Sequence, residues 1–363
     1  MEKSSLPNKA LFVLGMLTAT LFSTAVHASD YSADGASYLR PAAGASAQAM
    51  GGAFSASPDY LASWYNPSSL ALLRQRRIAL GGGYRSMGRT ESLASFEFMV
   101  PPRLGLGISA LYRGDPFISG LYDGYYDDQG VVIEEQALDR AAFTTFTFKI
   151  GAGYRFSRSL LLGGSIGIFY QSLPAIPLGN GAIQNESVTS MGGFDFIATY
   201  IVNENLTLSG GVRNLGARFN WQIQSHDWHR RIVDIFIHPS FVLSSSLNTS
   251  FMDRELIWNT DLVSYLFDGE FKRLSLPEAV LNTGVQWRYW DNIYLMAGIG
   301  DLQFNSEIYR NTSEYFTHLS PRISAGFSWK MDQVRDGLQL NYALATDRIW
   351  AGLDQQIDFT LSF

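Results

Sequence analysis

Alternation of apolar and polar residues is the feature of this sequence that most constrains its fold. It is clearest over residues 145–156, where one parity carries Phe146, Phe148, Ile150, Ala152, Tyr154 and Phe156, and the other carries Thr145, Thr147, Lys149, Gly151, Gly153 and Arg155. A period of two places the two sets on opposite faces of a β-strand. One face therefore suits hydrocarbon and the other suits water.

The same alternation recurs along the chain and continues to its last residue. It is present, for example, over residues 194–200 and 338–344. The final strand has apolar residues at every second position, namely Ile357, Phe359, Leu361 and Phe363. An alternating C-terminal strand that ends on Phe resembles the signal by which outer-membrane barrels are recognised for assembly. We assign that role to Phe359, Leu361 and Phe363, and the alternative is the edge strand of a β-sandwich.

Residues 1–28 have the pattern of a signal peptide. Lys3 and Lys9 supply a positive n-region, residues 10–22 an apolar h-region, and Val26-His27-Ala28 a small-x-small cleavage site. The h-region is too short for a transmembrane helix, and no later run reaches the roughly 18 apolar residues that a spanning helix needs. The chain is therefore predicted to be exported, and a helical membrane protein is excluded.

Composition agrees with strands that have one face towards lipid and one towards water. Aromatic residues make up 14% of the chain, 34 residues are Gly, and mean hydropathy is near zero, as expected for strands with one lipid face and one wet face. The chain has no cysteine, so burial and hydrogen bonding must hold it together without disulfides. A formal charge of -6 argues against nucleic acid as a partner.

Connections between the predicted strands alternate between short and long. Residues 77–363 are predicted to form about fourteen antiparallel strands, one of them at residues 231–246. Joins such as Pro101-Pro102 and Ser157-Arg158 are short, whereas residues 114–141 form a long connection. Outer-membrane barrels have short periplasmic turns, longer extracellular loops and an even strand count. Closure is also required, because hydrocarbon tolerates no open sheet edge. The predicted location is the outer membrane.

Residues 29–76 precede the first predicted strand and do not alternate. Ala42 to Ala53 is rich in Ala, Ser and Gly, and Trp64-Tyr65-Asn66-Pro67 ends in a turn, since the residue before a proline is kept out of the helical region. Side chains alone just fill a barrel of about eight strands, so a barrel of about fourteen needs another filling. We predict that residues 29–76 form a hatch, a plug inside the lumen.

This N-terminal stretch contains two motifs, Ala49-Met50-Gly51-Gly52-Ala53-Phe54 and Trp64-Tyr65-Asn66-Pro67-Ser68-Ser69-Leu70. In order and spacing they resemble the N-terminal signature of the PorV/PorQ family and of its FadL-like long-chain fatty acid transporter relatives. Those families usually have Ala-Gly where this chain has Ser68-Ser69, so the turn after Pro67 is expected to differ. The resemblance covers essentially the whole mature chain, and its specific part runs from Arg40 to Leu70.

The resemblance implies an all-β transmembrane barrel with an N-terminal hatch, and two different functions. FadL-like members pass hydrophobic, fatty-acid-like small molecules through a pocket bounded by the hatch by passive diffusion. PorV-like members work in type IX secretion, where they bind exported proteins at the cell surface. We take hatch-gated transport as the leading function and secretion as the alternative, and a barrel without transport remains a third. The expected partners are outer-membrane lipid, the barrel-assembly machinery and a hydrophobic small molecule, with exported proteins under the alternative.

The predicted ligand and hatch residues are the motif positions with their aromatic pair: Met50, Gly51, Gly52, Ala53, Phe54, Trp64, Tyr65, Asn66 and Pro67. The rings of Phe54, Trp64 and Tyr65 are candidates for lining an apolar pocket, and equally for anchoring the plug.

No pattern in the sequence points to catalysis, a metal or a cofactor. His226-Asp227-Trp228-His229 offers two imidazoles and a carboxylate, but metal sites need three or four ligands and no further Cys/His pattern supplies them. Acidic residues of the 114–141 connection lack the spacing of a calcium loop. No serine or acidic pair is placed as in known hydrolases. We therefore predict a protein that is not an enzyme.

Overall fold

The computed structural model describes residue 39 and residues 41–118, 122–126, 132–137, 141–172, 176–178, 182–184, 187–224, 230–237, 239–265, 278–304, 321–346 and 352–363. The predicted signal peptide, the first residues of the predicted hatch and the His226–His229 loop lie outside these ranges.

Fourteen antiparallel strands of the described chain form a closed barrel, which confirms the predicted all-β barrel of about fourteen strands. In wall order they are β1 (Arg77–Tyr84), β2 (Thr90–Val100), β3 (Leu104–Ile118), β6 (Ala141–Arg155), β7 (Leu160–Ser172), β10 (Ser187–Ile201), β11 (Leu206–Leu215), β14 (Ser240–Phe251), β15 (Arg254–Tyr265), β16 (Glu278–Arg288), β17 (Ile293–Phe304), β18 (Arg322–Lys330), β19 (Leu338–Thr346) and β20 (Leu353–Ser362). Pairing of β1 with β20 closes the wall and leaves no free edge.

In the described residues, three short hairpins lie in the connections at the end of the barrel opposite to the start of β1. They are β4 (Tyr122–Tyr126) with β5 (Val132–Ala137), β8 (Ile176–Leu178) with β9 (Ala182–Gln184), and β12 (Arg218–Gln224) with β13 (Arg230–Phe236). We call this end the long-loop end and the other the short-turn end. The wall strand predicted at residues 231–246 is wrong, because its first half pairs with β12 in a hairpin and the wall strand is β14. Alternation alone cannot tell a wall strand from a loop hairpin, since both have period two.

Alternation along the wall separates an apolar outer face from a buried inner face. In β6 the outward Phe146, Ile150 and Tyr154 are 40–47% exposed, whereas the inward Thr147 and Lys149 are at most 4% exposed. β20 follows the same rule, with Asp358 buried between Ile357 and Phe359. The face expected to contact water is therefore largely covered from inside.

Residues 41–76, here called the N-terminal segment, cover that inner face. The segment contains α1 (Ala45–Ala49), α2 (Ala62–Tyr65) and a 3₁₀ helix (Pro67–Leu72). Its small residues pack without any exposed surface, as at Ala45, Ala47 and Ala49. Because both helices are only about one turn long, wall contacts must hold them. No helix among the described residues is long and apolar enough to cross a membrane.

Candidate functional site

Three carboxylates on the inner face of the wall accept hydrogen bonds from backbone N–H groups of the N-terminal segment. Asp261 Oδ2 on β15 accepts from Phe54 N at 3.1 Å and from Ser55 N at 3.0 Å. Glu97 Oε1 on β2 accepts from Ala62 N at 2.5 Å. Asp358 Oδ2 on β20 accepts from Ala45 N and from the hydroxyl of Tyr60. These oxygens supply partners for backbone N–H groups that are removed from water, so they fix the turns of the segment.

Asn66 joins the segment to the wall and starts the 3₁₀ helix. Its Oδ1 accepts from Ser68 N at 3.1 Å, which caps the helix that Pro67 begins. Its Nδ2 donates to Ser55 O at 2.8 Å and to Thr199 Oγ1 of β10 at 2.9 Å. Asn66 is fully buried, so these bonds are shielded from water.

Glycines of the wall let the segment approach backbone to backbone. A Cβ at Gly163 of β7 would overlap Ser68 and Pro67, and one at Gly153 of β6 would overlap Pro67 O. On the other side of the barrel, a Cβ at Gly284 would lie 2.7 Å from Met50 Cα. Only glycine permits these contacts.

The first residues of the segment are held by a buried ionic network near the long-loop end. Glu91 Oε2 accepts from Arg85 Nε at 2.8 Å and from Arg113 Nε at 2.6 Å. Asp354 Oδ2 accepts from Arg85 Nη1 at 3.1 Å and from Arg322 Nη2 at 2.6 Å. Spare guanidinium donors reach the backbone, with Arg85 Nη2 at 2.8 Å from Ala42 O. Breaking such a network on one side is costly, because it leaves a buried charge unpaired.

The segment also contains a cluster of buried aromatic rings and a nearby acidic residue, Asp59. Phe54 packs edge-on against Tyr60 and Tyr65, with ring centroids 5.8 Å and 5.2 Å away. Tyr65 Oη donates to Ala43 O at 2.8 Å. Burial raises the pKa of both tyrosines, so both stay protonated. Burial also raises the pKa of Asp59 to about 6, against the opposing effect of Arg77.

A cavity of about 100 Å³ lies between the segment and the wall, towards the long-loop end. Before the wall it is lined by Leu39 and by residues of the segment, namely Pro41, Ala42, Gly51, Gly52, Trp64 and Tyr65. From the wall and its connections it is lined by Lys149, Arg213, Asn214, Ile237, Ser240, Asp261, Val263, Tyr265, Asn282, Asp301 and Arg322. Its surface is therefore mixed, with rings and aliphatic groups beside charged side chains.

The structure divides the predicted ligand and hatch residues into two groups. Gly51, Gly52, Trp64 and Tyr65 line the cavity. The others pack or bind elsewhere: Met50 and Ala53 are buried, Phe54 belongs to the aromatic cluster, and Asn66 and Pro67 form the helix start. Trp64 is also covered by Lys149, whose Nζ lies 5.1 Å from the ring centroid.

The remaining predicted positions lie away from the cavity. Phe359 and Phe363 are 47% and 50% exposed on the outer face of the last strand, and Leu361 is half-buried there. The described residues contain no group of three His, Cys, Asp or Glu placed to hold a metal ion.

Sequence reasoning missed the wall residues that bond to the segment. They are notably Glu97 and Asp358, together with Arg213 and Asp261, which also line the cavity. A signal for them was present. Each is a charged residue at the inward parity of an alternating strand, as Asp358 is between Ile357 and Phe359. What they contact could not be inferred, because that depends on the path of the segment.

Comparison with solved structures identifies proteins of the same fold, whereas comparison by sequence identifies no family. No protein-family model and no curated protein sequence matches the chain. Among solved structures, the toluene transporter TbuX of Ralstonia pickettii has a TM-score of 0.52 at 15% identity, covering 89% of this chain and 99% of that chain.

Two further solved structures share the fold to the same degree. The CymD monoaromatic hydrocarbon channel has a TM-score of 0.53 at 14% identity, covering 88% of this chain and 97% of its own. A FadL homologue from Pseudomonas aeruginosa has a TM-score of 0.51 at 12% identity, covering 89% of this chain and 98% of its own. At this level of identity the likeness concerns the fold alone.

Proposed function

We propose that this protein lies in the outer membrane and lets hydrophobic small molecules cross by passive diffusion along the cavity beside its N-terminal segment. The observation that carries the proposal is the cavity itself, which lies inside a closed barrel and is bounded on one side by Gly51, Gly52, Trp64 and Tyr65. A molecule that crosses the barrel must pass between this segment and the wall.

The outer surface of the barrel supports a membrane location. Its exposed positions carry large apolar side chains on strands around the wall, such as Leu80, Ile150, Leu243 and Phe359, each 46–57% exposed. Burying such a surface in hydrocarbon removes it from water, and the closed wall satisfies its own backbone hydrogen bonds. The solved structures that share the fold include transporters and channels for toluene and monoaromatic hydrocarbons, which supports a transport role without catalysis.

Residues 29–76 act as the hatch in this proposal, with residues 77–363 as the barrel. Support comes from the described part of that region, whose backbone is bonded to carboxylates on β2, β15 and β20 around the wall. A segment tied at three places is held against the inner face of the wall, with the cavity between them.

The finer assignment to PorV/PorQ proteins rests on the resemblance between Arg40 and Leu70. No feature of the described residues favours a role in type IX secretion with exported proteins as partners, so we do not propose it as a second function.

Toluene flux into vesicles that contain the full-length protein tests the proposal. Val263 lines the cavity and is 8% exposed, whereas the next residue, Leu262, has the opposite parity and faces outward. Val263→Phe should lower the flux several-fold, because the added ring occupies a cavity of about 100 Å³. Leu262→Phe should leave it unchanged. Val263→Ala, which widens the same place, should raise it.

Folded protein is scored by the shift in electrophoretic mobility on heating, so that misfolded variants are set aside. Wild-type flux no higher than that of empty vesicles would contradict the transport function. Equal flux through the Val263→Phe and Leu262→Phe variants would show that molecules cross by another route.

A further inference from the structure

Five exposed arginines lie together on one side of the short-turn end. They occur where β1, β2, β3, β6 and β7 follow one another in the wall, at the start of β1 and at the turns β2–β3 and β6–β7. The five are Arg74, Arg76, Arg103, Arg155 and Arg158, here called the arginine patch. Neighbouring strands are about 4.8 Å apart and tilted, so the patch spans roughly 20–25 Å of the rim.

Contacts of these residues place them close together and without counter-charges. Arg103 O accepts from Arg155 N at 3.0 Å, so the two lie side by side. Arg155 Nη2 donates to Ala71 O at 3.2 Å, three residues before Arg74 in the chain. In the described part of the chain, none of the five arginines forms an ion pair. No Asp or Glu is present in the stretches that carry the patch, residues 67–77, 99–104 and 154–161.

The opposite side of the same end balances its charges. Arg254 Nη1 in the β14–β15 turn pairs with Asp291 Oδ1 in the β16–β17 turn at 3.2 Å. Arg335 lies in the exposed β18–β19 turn, between Asp332 and Asp336 in the chain. Among the described residues of this end, exposed positive charge without counter-charge is therefore concentrated in the arginine patch. Such a concentration of one sign of charge favours an anionic partner there.

Apolar side chains of the outer face adjoin the patch. Phe156 follows Arg155 in the chain and is 61% exposed, and Tyr154 is 45% exposed. Phe363 is 50% exposed, and its backbone pairs with that of Arg76. Exposed rings near the ends of barrel strands lie at the boundary between hydrocarbon and headgroups. The guanidinium groups are therefore at the level of lipid headgroups, next to surface that contacts acyl chains.

We propose that the arginine patch binds the headgroups of anionic phospholipids, of which phosphatidylglycerol is the simplest, in the leaflet that faces the periplasm. Short turns of outer-membrane barrels lie on the periplasmic side. Guanidinium groups bond two phosphate oxygens at once, which a lysine ammonium does not. Each arginine at such a surface raises the affinity for anionic lipid about fivefold. This inference concerns the lipid around the barrel and does not depend on transport through its lumen.

Native mass spectrometry of the full-length protein tests the proposal. The protein is released from nanodiscs that contain dioleoylphosphatidylglycerol and dioleoylphosphatidylcholine in equal amounts, two lipids with the same chains and different headgroup charge. Wild-type protein should retain phosphatidylglycerol at least about fivefold more often than phosphatidylcholine. The preference should shrink in molar salt, because salt screens exposed charges. Equal retention of the two lipids would overturn the proposal.

The double variant with Arg103→Gln and Arg158→Gln assigns the preference to the patch. Neither guanidinium has a bonded partner among the described residues, so the changes remove charge without removing a contact. The preference for phosphatidylglycerol should fall at least about fivefold. Arg254→Gln with Arg335→Gln removes the same charge from the balanced side and is the matched control, which should keep the wild-type preference. An equal loss in both double variants would show that net charge, and not the patch, selects the lipid.

Soluble anions separate the lipid from other partners of the patch. If wild-type protein retains both lipids equally but binds polyglutamate, and the Arg103→Gln and Arg158→Gln variant does not bind it, the patch is a docking surface for an acidic protein and the lipid proposal is wrong. Inorganic phosphate at matched ionic strength should not displace phosphatidylglycerol, and displacement would make the patch a site for free phosphate instead. Toluene flux through the same variant should equal that of wild type, so the lipid proposal and the transport function fail separately.

Discussion

The N-terminal segment meets the barrel wall in two different ways on two sides. Along β6 and β7 the wall has glycines at Gly153 and Gly163, and the backbone of residues 67–71 lies directly against them. Along β11 and β15 the wall has Arg213 and Asp261 instead, which bond to Ser55 of the segment and also line a cavity beside it. The first side leaves no space, whereas the second leaves a cavity next to its polar contacts.

This difference shows that the segment and the wall are in contact in two ways, by close backbone packing and by polar side chains beside a cavity. Removing side chains from the wall lets backbones touch, which fixes the segment without needing a bulky hydrophobic core. Polar side chains at β11 and β15 hold the segment by hydrogen bonds instead and leave a cavity beside these contacts. Both arcs of the barrel thus attach the segment, but the polar arc also leaves room for a solute.

The largest effect is expected from filling the glycine side. Gly163→Val should destabilise the folded protein by about 3 kcal/mol or more, because its side chain would overlap the backbone of Pro67 and Ser68, which cannot move aside cheaply. Thermal unfolding followed by heat-modifiable mobility measures it. Gly164→Ala is the control, since its nearest neighbour would be Asp195 O at 3.3 Å, and it should change stability far less. Equal effects of the two changes would show that the close contact of Gly163 with the backbone of the segment does not hold the segment in place.

A smaller loss is expected from removing the polar joint of the segment. Asn66→Ala should cost about 2–3 kcal/mol, because Ser68 N and Thr199 lose buried partners. Asn203 caps an exposed turn through bonds to Asn205 N and Leu206 N, so Asn203→Ala should cost less than about 1 kcal/mol. Urea unfolding of both variants makes the comparison. Similar midpoints would show that the buried joint does not hold the segment.

A change of about 1–2 kcal/mol is expected from Asp59 as pH varies. Its pKa is raised to about 6 in the folded protein from an ordinary value of 3.8. The folded state therefore binds this proton more tightly than the unfolded state, so the contribution is complete below pH 3.8 and is lost as pH rises through 6. Asp59→Asn, which stays neutral, should gain stability relative to wild type between pH 4 and pH 7. Parallel stability curves for the two proteins would contradict this.

The smallest effect on folded stability is expected from deleting Phe363, whose ring is 50% exposed and whose backbone pairs with Arg76 at the short-turn end. Its predicted role is in assembly, so the deletion should reduce the amount of folded barrel in the outer membrane and lower the unfolding temperature of that fraction only slightly, through the loss of the pair with Arg76. If the deletion variant reached wild-type amounts of folded protein, the prediction that Phe363 acts in assembly would be wrong.

The strands of the wall could be predicted from sequence far better than the contacts between the wall and the N-terminal segment. Period-two alternation gave the closed barrel of fourteen strands, because inward and outward faces have opposite solvents. It misplaced the strand before residue 246, because the hairpin of β12 and β13 alternates as a wall strand does. Four of the predicted ligand residues line the cavity, since the segment's motifs are local. Arg213 and Asp261 were not predicted, because long-range contacts with Ser55 bring them there.

Disulfide formation between the segment and the wall tests the central claim most directly, and the chain has no cysteine of its own to interfere. Ser63 Oγ of α2 lies 3.0 Å from Ser109 Oγ of β3, and both residues are buried. In a variant with Ser63→Cys and Ser109→Cys, the segment in its place inside the barrel should give nearly complete cross-linking under mild oxidation, detected by mass spectrometry of the joined peptides. Folded barrels whose two cysteines remain reduced would show that the segment does not occupy the lumen as described.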